Sequence, residues 1–148
     1  MAVVQDRQHA LVAARAAAEL AGRRRLAAAV AAAEVGLPQR AIAEGLQVSQ
    51  PAVAKMLDRA RRWPELWQRT PRQVALEYAA GELSREQMRK ELAEWPWTFG
   101  RPDGPGGPAG EWAEEWVPGA WDELVRASMD GLVDDEDYGY VLDRRRES

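Results

Sequence analysis

Gln39-Arg-Ala-Ile-Ala-Glu-Gly-Leu-Gln-Val-Ser-Gln-Pro-Ala-Val-Ala-Lys-Met-Leu57 decides the fold of this chain. The stretch reads as two short helices that cross at a tight turn. Ala43 falls where the helices meet and only a small side chain fits. Ile42, Leu46, Val48, Val53 and Met56 or Leu57 fall where the two must share a core. Ser49 is placed to cap the second helix, because its hydroxyl can accept from a free backbone N–H two or three residues on. Pro51 then lies in the first turn, where a missing N–H costs little.

Outward from this pair, helix formers dominate residues 5–34. They predict one long helix, or two that meet near Gly22. Arg23 to Val35 is the first helix of a three-helix unit, and Asp6 to Ala21 is an extra helix before it. That extra helix serves a dimer contact or packs back on its own chain. Gly36 stops the first helix, Pro38 opens the next over Gln39 to Gln47, and a third runs from Gln50 to about Arg62, where Pro64 ends it.

The second half holds a repeat. Gln73-Val-Ala-Leu-Glu-Tyr-Ala-Ala-Gly-Glu-Leu-Ser-Arg-Glu-Gln-Met-Arg-Lys-Glu-Leu92 returns 50 positions later as Glu123-Leu-Val-Arg-Ala-Ser-Met-Asp-Gly-Leu-Val-Asp-Asp-Glu-Asp-Tyr-Gly-Tyr-Val-Leu142. Gly81 matches Gly131, Leu83 Val133, Ser84 Asp134, Glu86 Glu136, Met88 Tyr138 and Leu92 Leu142. Each copy predicts a helix, a Gly stop, an N-cap and a second helix. Residues 96–110, rich in Gly and Pro, form a loop between the two hairpins. The fold class is therefore all-α. A three-helix unit with a preceding helix occupies 1–63, and an acidic, Trp-rich helical region occupies 64–148.

Charge divides the chain in the same way. Residues 1–72 carry 12 Lys+Arg against 6 Asp+Glu, and residues 73–148 carry 8 against 18. A basic half draws polyanions and an acidic half repels them. There are no cysteines, hence no disulfide framework and no thiolate metal site. No apolar run is long enough to span a bilayer, and arginines interrupt the Ala-rich start, so neither a membrane span nor a secretory signal is expected. The expected location is the cytoplasm, in association with the nucleoid.

Catalysis finds little support. His9 stands in an Ala-rich helix without a nucleophile pattern and reads as a surface or packing residue. Asp134, Asp135, Glu136 and Asp137 lack the spacing of a calcium loop and read as a solvated helix start. The glycines between 104 and 110 are interleaved with prolines, which remove the N–H groups a phosphate cradle needs. No enzyme activity, cofactor or metal is expected.

Residues 39–57 resemble the helix-turn-helix of bacterial and phage repressors, with residues 23–62 as its three-helix unit. The turn position that such units usually fill with glycine holds Gln47 here, so the resemblance implies that this side chain accepts a positive φ. The resemblance implies a second helix laid in the DNA major groove. Ser49, Gln50, Pro51, Ala54 and Lys55 would then face base edges. Gln pairs with adenine, Lys donates to guanine, and Pro51 and Ala54 meet a thymine methyl. Arg40 would reach a phosphate from the preceding helix, Arg59, Arg61 and Arg62 from the far end of the reading helix, and Arg23, Arg24 and Arg25 from the flank. Trp121 to Leu142 is similar to short helix–Gly–helix modules at bacterial protein C-termini, often oligomerisation pieces. Glu94-Trp-Pro-Trp97 after such a unit is similar to actinobacteriophage immunity repressors.

Seven tryptophans complete the picture. Trp63 and Trp67, one helical turn apart, are expected to cover the back of the DNA-binding unit. Trp95, Trp97, Trp112, Trp116 and Trp121 fill the core of the acidic half or anchor a protein partner. The expected function is a sequence-specific transcriptional regulator of double-stranded DNA, most simply a repressor. An antitoxin that regulates its own operon, with a basic toxin as partner, and a phage-type immunity repressor both fit, as does self-association. The alternative is an interaction adaptor that works through its acidic half and keeps the helix-turn-helix as scaffold.

Overall fold

A computed structural model describes residues 2–97 and 121–147 of the chain. Every regular element among them is helical. In order they are α1 (Ala2–Glu34), α2 (Gln39–Leu46), α3 (Gln50–Arg62), a 3-10 turn (Pro64–Leu66), α4 (Pro71–Ala79), α5 (Arg85–Glu94), α6 (Trp121–Met129) and α7 (Asp135–Glu147). No helix among the described residues is long and apolar enough to cross a membrane.

Of the two forms expected for residues 5–34, one long helix or two that meet near Gly22, the first is present. Gly22 is exposed inside α1, and alanine and arginine neighbours carry the helix through it. A lone mid-helix glycine costs about 1 kcal/mol relative to alanine, too little to break a helix of this length.

Contacts divide the chain into two units, residues 17–69 and the described residues of 1–16 with 70–148. Residues 2–16, expected alongside the basic unit, group instead with the C-terminal half.

In the unit of residues 17–69 the core holds Ala29, Ile42, Ala43 and Val53, with Ala32, Ala33, Leu46, Val48, Met56 and Leu57 half-buried around it. Both Met56 and Leu57 take part. α2 packs on α3 across residues 47–49. Gln47 takes φ 59 and ψ 44, the left-handed conformation. The Gln47 and Val48 amides return to the Glu44 and Ala43 carbonyls at 3.3 and 3.0 Å. The Gln47 side chain donates to the Glu44 carbonyl at 2.9 Å, which offsets part of the left-handed strain. Ser49 accepts from the Ala52 amide at 3.2 Å and caps α3. Arg23 donates to the Glu65 and Gln68 carbonyls, each at 2.8 Å, and holds the chain beyond α3 against α1.

In the other unit α4 pairs with α5 and α6 with α7, while α4 lies along α6 and α5 along α7. Gly81 (φ 85) and Gly131 (φ 76) close the first helix of each pair with the same two backbone bonds, Gly81 to Tyr78 and Glu82 to Glu77, then Gly131 to Ser128 and Leu132 to Ala127. This closure ties off carbonyls that a helix end leaves free. The second helices start alike. Ser84 and Gln87 form a reciprocal capping box, and Asp134 and Asp137 exchange the equivalent pair of bonds.

The repeat is kept in the backbone and shifted in the packing. α5 buries Met88 and Leu92, whereas α7 buries Asp137 and Val141. Tyr138 and Leu142, matched to Met88 and Leu92 in sequence, are only half-buried. The inward face of α7 is therefore one residue earlier than that of α5.

Candidate nucleic-acid interface

α3 is amphipathic, with its 13 residues split between two faces. Val53 and Ala60 are buried, and Ala52, Met56 and Leu57 half-buried on the same side. The other half of its circumference is an exposed arc of Gln50, Pro51, Ala54, Lys55, Arg59, Arg61 and Arg62. At about 1.5 Å per residue the helix is roughly 20 Å long. Its capped N-terminus brings Ser49, Gln50 and Pro51 to one end of this arc. Arg40, also exposed, stands in the first turn of α2.

All eight residues expected to touch DNA, Arg40, Ser49, Gln50, Pro51, Ala54, Lys55, Arg59 and Arg62, are therefore exposed and belong to one unit. That unit carries 9 Lys+Arg against 5 Asp+Glu, a net of +4. Asp58 interrupts the basic arc. It pairs with Arg61 at 2.8 Å and with Arg62 at 3.3 Å, one turn along the helix. Lys55 and Arg59 have no partner among the described residues. Of the flanking arginines, Arg23 is corrected from a candidate contact to a structural tie, since it donates to the Glu65 and Gln68 backbone carbonyls. Arg25 is exposed on α1.

The tryptophans part company. Trp63 and Trp67 do not share a helix, because Pro64 lacks an amide and α3 stops before it. Trp67 is half-buried and donates to the Ala60 carbonyl at 3.1 Å, whereas Trp63 is 48% exposed. Only Trp67 covers the unit as expected. In the other unit Trp97 meets Trp121 edge to face at 4.9 Å, and Trp121 meets Tyr138 at 5.7 Å. Their indole N–H groups donate to the Leu92 carbonyl at 2.8 Å and the Tyr138 hydroxyl at 3.1 Å. Arg145 lies over the Trp121 ring at 5.0 Å. Trp95 is half-buried. The cluster fills its own unit, with Trp97, Trp121 and Tyr138 half-buried. Trp112 and Trp116, and most of the expected loop, lie outside the described residues.

Asp137 is the residue that sequence reasoning misplaced. Asp134, Asp135 and Glu136 are exposed, as a solvated helix start requires, but Asp137 is 1% exposed. Its Oδ1 accepts from Arg85 Nε at 2.7 Å and Arg89 Nε at 2.8 Å, so the two hairpins are clamped at one buried carboxylate. Arg85 also reaches Asp134 at 3.1 Å and Glu136 at 3.0 Å. Burial pushes the Asp137 carboxyl up, and the bonds from Arg85 and Arg89 outweigh it, leaving the group below the usual 3.8. The hydrogen bond to Asp137 in turn raises the Arg85 guanidinium. Burial, then the Asp137 charge, raises Tyr78 above its usual 10.0. Arg85 and Arg89, four apart on one face of α5, were the available signal. Asp130, at the turn before α7, pairs with Arg72 at 2.8 Å, and its carbonyl accepts from Arg15. Buried Glu123 accepts from the Arg72 amide at 3.4 Å and caps α4 from α6.

No cluster of three or more His, Asp or Glu among the described residues is placed to hold a metal ion, and His9 is exposed on α1. No protein family, curated protein or solved structure matches the chain.

Proposed function

We propose that the chain is a sequence-specific DNA-binding regulator, a repressor in its simplest form, whose α2 and α3 act as a helix-turn-helix with α3 in the major groove. The observation that carries this reading is the division of α3. Its apolar face is closed into a core with α1 and α2, and the opposite arc presents Gln50, Pro51, Ala54, Lys55 and Arg59 to solvent. A helix of about 10–12 Å diameter fits a major groove about 12 Å wide. Gln50 and Lys55 then supply the hydrogen bonds that distinguish bases, while Arg40, Arg59 and Arg62 supply phosphate contacts that fix register.

The acidic unit, with 11 Lys+Arg against 19 Asp+Glu, adds nothing to attraction for DNA and supports a second task, the binding of a basic protein or a second copy. A toxin partner and a phage immunity role share the DNA step and differ in what that unit holds. Co-purification of a basic protein favours the first.

The test is binding of the full chain to a duplex carrying its own upstream sequence, against a scrambled duplex, over a salt series. Selective binding that falls steeply with salt is expected. Gln50→Ala should relax the preference between the two duplexes by about 1–3 kcal/mol, and Arg59→Ala should weaken both and lower the salt slope by about 1. No binding to either duplex at low salt sinks the proposal and leaves the interaction adaptor.

A further inference from the structure

We infer that Trp63 is an additional contact of the DNA-binding surface, laying its indole against the sugar-phosphate backbone just beyond the C-terminal end of α3. The inference rests on the reading of α3 as the groove helix. Three observations carry it. Trp63 is 48% exposed, while Trp67, four residues on, is half-buried. The Trp67 indole N–H is satisfied by the Ala60 carbonyl, whereas the Trp63 indole N–H has no acceptor among the described residues. Finally, Trp63 follows Arg59, Arg61 and Arg62 and is anchored to the first by its amide, which donates to the Arg59 carbonyl at 2.9 Å.

An exposed indole in that setting fits one class of partner. The neighbouring guanidinium groups repel a basic surface and draw a polyanion. The free N–H can donate to a phosphate oxygen, and the ring offers a flat apolar face to a deoxyribose. A Trp among carboxylates would suit a basic protein instead, and the only acid in the last turns of α3 is Asp58, already engaged by Arg61 and Arg62. The contact is largely uncharged, so its thermodynamic mark differs from that of its neighbours. Arginines that neutralise phosphates release counterions and steepen the salt dependence, and an indole does not.

The test uses the full chain and two fluorescein-labelled duplexes, the upstream sequence and its scramble, with anisotropy read over a salt series. Trp63→Ala should weaken both duplexes about 10-fold, the loss expected for one hydrogen bond to a charged phosphate, with the salt slope unchanged. Trp63→Phe, which keeps a ring and loses the donor, should fall between. Circular dichroism checks the fold of each variant. Should Trp63→Ala not fold, Trp63→Phe and the loss of acrylamide quenching of the Trp63 share of emission on saturation with duplex decide the matter. Binding within twofold of the parent for both variants overturns the contact and leaves the α3 reading standing. A salt slope reduced by about 1, as for Arg59→Ala, also overturns it, because Trp63 would then act only by placing an arginine. If the parent binds neither duplex, the contact and the α3 reading fall together.

Discussion

Replacing Asp137 with Asn should loosen the acidic unit. The carboxylate is buried and accepts from Arg85 and Arg89 on the facing hairpin. Arg85 keeps two exposed acids as alternative partners, so its loss counts for little. Arg89 is 23% exposed and pairs with Asp137 at 2.8 Å. A hydrogen bond to a charged group contributes about 1.5–3 kcal/mol, and Asn retains a neutral acceptor, so the expected loss is about 2 kcal/mol. For a unit of this size that is a fall of about 10 °C in Tm. The assay is thermal or urea unfolding followed by near-ultraviolet circular dichroism, to which Trp97, Trp121 and Tyr138 of the same unit contribute. The same group gives the protein an acid limb. Because the folded carboxyl sits below 3.8, its contribution is complete above the unfolded value and is lost as pH falls through the folded one. The parent should weaken below about pH 4, and the Asn variant should lose that part of the slope. Equal melting of parent and variant at neutral pH, with the same acid limb, would refute the clamp.

Other expectations concern single turns. Ser49→Ala removes the cap of α3 and should cost about 1 kcal/mol, read as a lower urea midpoint. Gln47→Val places a β-branched residue at φ 59 and removes the bond to Glu44, and should cost about 2 kcal/mol in the same titration, whereas Gln47→Gly should be close to neutral as relieved strain meets added chain entropy. Gly131→Ala meets no neighbouring atom within 4 Å, so any loss, expected at about 1–2 kcal/mol, measures positive φ alone.

Much of the helical layout was legible because it is written in local terms. Gly36, Gly81 and Gly131 mark helix ends through a backbone conformation that glycine adopts freely, and Ser49 and Ser84 mark starts through a hydroxyl that reaches a free amide. Ile42, Ala43 and Val53 fall on the core by their spacing alone. The positive φ at Gln47 was legible through the resemblance, since such units usually place glycine at that turn position. What failed depends on neighbours distant in sequence. Asp137 reads as solvent-facing beside three other acids, and only the approach of Arg85 and Arg89, about 50 positions away, makes its burial affordable. Arg23 reads as part of a basic run until two carbonyls near position 65 claim it. Trp63 and Trp67 read as equivalent until Pro64 breaks the helix between them.

The buried carboxylate also decides which hairpins can marry. Two helix pairs of common pattern could in principle exchange, the first of one molecule against the first of another, or the second against the second. The first pair presents Arg85 and Arg89 at the junction and the second presents Asp137. A union of like with like would set guanidinium against guanidinium, or bury carboxylate against carboxylate. Either leaves uncompensated charge at the junction, and a paired Asp137 would leave it buried. The two copies have become a lock and its key, and the duplication is thereby protected from tangling with itself.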